Sequence, residues 1–205
     1  MKTAAIALLA ASVLMAADGP SLYYSKSFPK SVPEYVQVNL DRSGAVQYRE
    51  AVDDDMPVKF QLKDAEAAEI FGLADKLGHF QQPLESPAKV AFMGTKIFRW
   101  VNGGETHEVK FNYSQDTTAQ ALLDWFERIS ESAQREIDLE RTVKYDKLGV
   151  VQSLIAIQIA MDKKRLVGAE QYLPMLDRVI KNESYMHTAR EQAAQIADAI
   201  RNPKP

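Results

Sequence analysis

The feature that most constrains this chain is a change of hydrophobic period near Ser114. Before that point apolar residues alternate, and after it they recur every three or four positions. Alternation places side chains on the two faces of a strand, whereas the longer period lays them along one stripe of a helix. Strands come first and helices follow, so the reading is an α+β chain. It has two antiparallel hairpins and a short strand packed on one helix, then a C-terminal bundle of about four helices. The expected divisions are residues 1–17 as a removable leader, 18–114 as a sheet domain and 115–205 as a helical domain or extension.

In the first half Val36, Val38 and Leu40 share one face of a strand, and Val46 and Tyr48 share one face of the next. A three-residue loop, Arg42-Ser43-Gly44, pairs Leu40 with Val46 and Val38 with Tyr48, with Gly44 at the left-handed position that closes such loops. Val58, Phe60 and Leu62 mark a third, short strand after the acidic run Asp53-Asp54-Asp55. Asp64 is placed to cap a helix over 64–77, whose stripe is Ala67, Ile70, Phe71, Ala74 and Leu77 and which Gly78 ends. A longer hairpin follows. Its turn at Asn102-Gly103-Gly104-Glu105 sets Arg99 opposite Glu108 and Trp100 opposite His107, although a two-residue Asn-Gly turn keeps the same faces with shifted pairs. Lys96 falls on the apolar face, which suggests a bulge near Gly94.

Residues 116–142 carry Ala119, Leu122, Leu123, Phe126, Ile129, Ala133 and Ile137 at helical spacing. Residues 148–162 are apolar nearly all round, the mark of a helix central to a bundle. Pro174 opens or kinks a helix running to Lys181, Asn182 and Ser184 make a turn, and a last helix carries Met186, Ala189, Ala193, Ile196 and Ile200 before Pro203 stops it.

Met1-Lys2 followed by an apolar run to Ala17 has the layout of a secretory signal, with the cut after Ala17 or after Ala16. The run is too short to span a bilayer of roughly 30 Å, so the mature chain is expected to be periplasmic or secreted, with no transmembrane segment after cleavage. The chain has no cysteine, which excludes a thiol nucleophile, thiolate metal sites and disulfides. Losing Lys2 leaves 24 basic against 28 acidic residues. No stretch concentrates positive charge, so a nucleic-acid partner is not expected.

Residues 172–200, with a proline in the first helix, a polar turn, and an arginine followed by small residues in the second, resemble one unit of a HEAT-type helical repeat. The segments SLYYSKSFPKSVPEYVQVNLDRSGAVQYRE, LESPAKVAFMGTK and FNYS resemble uncharacterised exported proteins of acidobacterial-type bacteria. That resemblance implies export and carries no chemistry.

Catalytic signatures do not assemble in this sequence. There is no Gly-x-Ser-x-Gly elbow, no phosphate-cradling glycine loop and no calcium loop, because Asp53-Asp54-Asp55 are consecutive rather than alternate. His79, His107 and His187 lie in separate elements without ligand spacing. Glu50 and Glu85 are the only acids in unusual settings for paired-carboxylate chemistry. The expectation is therefore a non-catalytic envelope protein that binds a protein or other envelope component, without cofactor or metal. An enzyme with an unrecognised site and an inhibitor or small-ligand carrier are the alternatives. The expected contact is the tip of the second hairpin: Trp100, His107, Arg99 and Glu108. Strands of about ten residues from Val90 to Tyr113 span roughly 33 Å, about twice the first hairpin, and leave an overhang near the loop. Covering that overhang with a helix of the second half would instead make Trp100 core. The aromatic, proline-marked stretch Tyr23-Tyr24 to Pro33 is expected as a surface leader or a partner-binding arm.

Overall fold

The alternating segments hydrogen-bond into a six-stranded antiparallel sheet in the order β4-β3-β2-β1-β5-β6. The strands are β1 (Ser21–Ser27), β2 (Tyr35–Asp41), β3 (Ala45–Arg49), β4 (Val58–Gln61), β5 (Thr95–Asn102) and β6 (Glu105–Phe111). The computed structural model of the protein describes residues 19–203; the expected leader, residues 1–17, lies outside them. Mixed α+β architecture holds, with α1 (Asp64–Lys76), α2 (Thr117–Tyr145), α3 (Val150–Asp162), α4 (Leu173–Lys181) and α5 (His187–Arg201) as the α-helices among the described residues.

Both hairpins have the register that their turn residues dictate. Leu40 faces Val46 and Val38 faces Tyr48, with Gly44 at φ 87° in the loop. Arg99 faces Glu108 and Trp100 faces His107, and the pair Asn102–Glu105 leaves Gly103-Gly104 as the turn. A third pairing was not anticipated. The stretch expected as a surface leader is β1, a strand between β2 and β5 that pairs with both along its full length, from Ser21 opposite Asp41 and Val101 to Ser27 opposite Tyr35 and Thr95. Leu22 and Tyr24 are buried there, and Tyr24 stacks on Phe126 of α2 at 4.8 Å between ring centroids. Burying two large side chains between neighbours on both sides gains more than leaving them in water, by about 1.5–3 kcal/mol per side chain.

Among the described residues, helices cover one face of this sheet. α1 buries its expected stripe, but its entry differs from the sequence reading. Asp64 lies inside the first turn, and Lys63 occupies the cap, its backbone N–H donating to Glu66 Oε2 at 2.9 Å. Gly78, at φ 57°, leads into a 3-10 turn, Gly78–Phe80, that carries the chain across β5. The first half of α2 packs on the same face, its start capped by Asp116, which accepts from the N–H groups of Thr118 and Ala119. At 29 residues, about 43 Å, α2 outruns the sheet. Its far half builds a second core with α3, α4 and α5 around Leu139, Leu154, Tyr172 and Ile196. The HEAT-like segment forms the α4–α5 hairpin, seated by the Tyr172 hydroxyl donating to the Ser132 carbonyl at 2.6 Å.

α3 is not central to that core. Val150, Leu154 and Ile157 are buried, whereas Ile155 and Ile159 on the opposite side are exposed. The apolar run therefore overstates the helix's burial, because it has neighbours on one side only. No helix among the described residues is long and apolar enough to cross a membrane.

Candidate functional site

The hairpin tip does not form the expected overhang. β1 pairs with β5 as far as Val101, and the α1 to 3-10 segment, which belongs to the first half of the chain, folds over the same end. Trp100 is 4% exposed, stacked on the His79 ring at 4.0 Å and edge-on to Phe71 at 6.0 Å. Trp100 is thus a core residue. His107 lies beside it with Nε2 3.2 Å from Glu105 Oε1. Arg99 and Glu108 point to the opposite, uncovered face, where they pair at 2.6 Å while the Arg99 guanidinium lies 4.4 Å from the Tyr23 ring centre. The four expected contact residues consequently divide between two faces of the sheet.

A better-formed site lies at the other end of the sheet, where the last residues of β1 and β6 and the first of β2 and β5 meet α2. Two neighbouring pockets open there. One, of about 270 Å³, is walled by Phe111, Tyr113, Met93, Ala119 and Leu123. The other, of about 230 Å³, is more polar, with Tyr24, Ser31, Glu34, Ser130 and Gln134 in its wall. Lys26 of β1 and Glu127 of α2 line both, and their ion pair at 3.5 Å stands between the two. From Ala119 to Gln134 the helix forms a continuous wall about 22 Å long. Apolar side chains from the loops line the groove, Phe28, Val32 and Met93 among them, and Phe92, 56% exposed, packs edge-on against Phe28 at 5.8 Å.

Lys96 gives the groove its electrostatic character. It occupies the apolar face directly opposite Lys26, in a strand whose register runs without interruption from Thr95; Gly94 lies just before that strand, at φ 92°. The ammonium is satisfied by donating to the carbonyls of Asn112 (2.7 Å), Met93 (3.1 Å) and Gly94 (3.3 Å). Those carbonyls use its three protons without neutralising its charge. Lys96 is 4% exposed, and no carboxylate lies within ion-pair distance of it among the described residues. Burial holds its pKa below the ordinary lysine value, and Lys26 pushes the same way, against Glu127 and Glu85. Nearby, the buried Tyr24 hydroxyl has no hydrogen-bond partner among the described residues. Burial above all, then Glu127 and Tyr48, raises its pKa far above the ordinary phenol value. It therefore stays a neutral donor.

Lys26, Lys96, Tyr24 and Glu127 were not sequence candidates. They come from three elements that are distant in sequence, and the only local signal was a lysine interrupting the apolar alternation of β5. Of the acids singled out, Glu85 accepts from the Asn112 backbone N–H, and Glu50 accepts from the Tyr48 hydroxyl at 3.0 Å; they lie on opposite sides of the strand order, after β6 and after β3, and form no pair. Asp54 accepts from the Met56 N–H in an exposed loop. Among the described residues no group of three or more histidine or acidic side chains is placed to hold a metal ion. Among the described residues the groove serines Ser31 and Ser130 donate to backbone carbonyls rather than to a basic side chain. Compared with known protein families and with curated proteins, the chain matches none.

Proposed function

We propose that the protein is an exported, non-catalytic binding protein that takes up an extended segment of a partner polypeptide in the groove between α2 and the strand ends. The observation carrying this reading is the combination of an apolar pocket, an adjoining polar pocket and an exposed apolar rim along one helix. A wall of about 22 Å matches about six residues of extended chain at 3.3 Å each. Alternate side chains of such a segment would enter the pockets. Partner surfaces of this kind use buried anchors within an apolar patch rather than area alone. Export follows from the layout of residues 1–17, and intact-mass measurement of the protein from its native envelope tests it: a mature species beginning near Asp18 is expected, and one retaining Met1 contradicts export.

Peptide display tests the groove. Random peptides selected on the immobilised chain should share an apolar position, and Phe92→Asp should abolish their capture while leaving the melting temperature unchanged, since Phe92 is exposed. Selected peptides that bind Phe92→Asp as well as the original chain would contradict the reading.

A further inference from the structure

Charge decides which polypeptide segment fits. Two lysines face each other across β1 and β5 on the covered side of the sheet, where like charges directly opposite are unfavourable. Only Lys26 has a carboxylate partner, at a loose 3.5 Å. Lys96 is a buried cation whose neighbours are carbonyl dipoles, and a buried charge without a counter-charge is costly. Together they place two positive charges at the ridge between the pockets, offset in part by Glu127 and Glu85, while Glu34 and Glu131 line the polar pocket beyond. The floor on one side of that ridge is apolar, and about 270 Å³ exceeds the roughly 150 Å³ of apolar space that accepts a benzene ring. An anion with an apolar group beside it satisfies both features at once.

We infer that the groove captures the free C-terminus of a polypeptide, with the terminal carboxylate on Lys26 in the field of Lys96 and the last, apolar side chain in the pocket lined by Phe111 and Leu123. This inference rests on the groove reading above and specifies its occupant. The carboxylate takes the place of Glu127 at the Lys26 ammonium, which has protons to spare, and Lys96 contributes charge rather than a hydrogen bond because its three protons are already engaged. Residues upstream of the terminus run past Tyr24 toward Ser31 and Gln134. A carboxylate held by a lysine gains a charge-assisted hydrogen bond that an amide cannot match.

The experiment uses the full chain and an N-terminally labelled hexapeptide, five alanines then phenylalanine, as the free acid and as the C-terminal amide, followed by fluorescence anisotropy. The acid should bind about tenfold more tightly than the amide or better. Lys26→Gln should bring the two within about threefold by weakening the acid more than the amide, with the melting temperature read alongside to show that the variant is folded. Amide and acid binding equally would overturn the terminus while leaving a groove for internal segments. Decanoate binding where neither peptide does would overturn the polypeptide source in favour of a small carboxylic acid. Failure of both peptides and of decanoate, with display selection still yielding groove-dependent peptides, would overturn the carboxylate.

Discussion

Replacing Trp100 with alanine tests whether the second hairpin tip is core. The side chain is 4% exposed, held between the Phe71 edge and the His79 ring. Removing a buried tryptophan to alanine costs about 3–5 kcal/mol, because transfer free energy is lost and the vacated space collapses only in part. Two aromatic contacts each add about 0.5–1.5 kcal/mol beyond burial, and the His79 side is partly solvated, so the expected loss is about 4 kcal/mol. For a chain of this size that amounts to a fall of roughly 8–16 °C in melting temperature. Trp125 remains as a fluorescence probe, buried with its Nε1–H donating to Glu69 at 3.2 Å, so urea unfolding can be followed in the variant. A loss below about 1 kcal/mol would refute the packing argument and return Trp100 to the surface.

Further expectations concern other parts of the fold. The Glu136 carboxyl is pushed up to about 7, by burial first and then by Glu140, so the folded chain holds a proton that the unfolded chain releases, and stability falls as pH rises from about 4.5 to about 7. Glu136→Gln should therefore stabilise by about 1 kcal/mol at pH 8, a value reduced by solvent screening of this partly open group, and by nothing at pH 4.5; equal effects at both pH values in urea titrations would contradict this. Gly168 has φ +56°, and a Cβ there would press on the Phe60 ring and come within 3.0 Å of the Gln61 carbonyl oxygen. Gly168→Ala should cost about 1–3 kcal/mol, measured by denaturant midpoint. Ile159→Lys should change stability by less than about 0.5 kcal/mol, since that side of α3 is open; a loss above about 2 kcal/mol would place α3 at the centre of its core.

Local patterns made much of the fold legible, and non-local ones did not. The registers of both hairpins followed from alternation plus Gly44 and Gly103-Gly104, because turn chemistry and pleat fix which residues face each other. The buried stripe of α1 and the Asp116 start of α2 were equally local. β1 was missed for a physical reason: its inward residues are Leu22, Tyr24 and then a lysine, too short an alternation to stand out, and its pairing with β5 joins residues about seventy positions apart. Once β1 fills the sheet, the argument for an overhanging Trp100 disappears. The groove escaped notice on the same grounds. Lys26, Lys96 and Glu127 meet only after the sheet and α2 are in place, and a lysine on an apolar face reads as an irregularity until its three carbonyl partners are seen. The apolar run of α3 misled in the opposite direction, because composition alone does not say how many neighbours a helix has.

Photo-crosslinking in the native envelope tests the groove most directly. A photoreactive residue at Gln120, exposed in the wall of the apolar pocket, is compared with one at Gln47, exposed on the uncovered face of the sheet. Groove binding predicts a discrete crosslinked polypeptide from position 120 that is lost in Phe92→Asp, and none from position 47. A crosslinked species from position 47 alone would move the binding surface to the other face of the sheet and contradict the account.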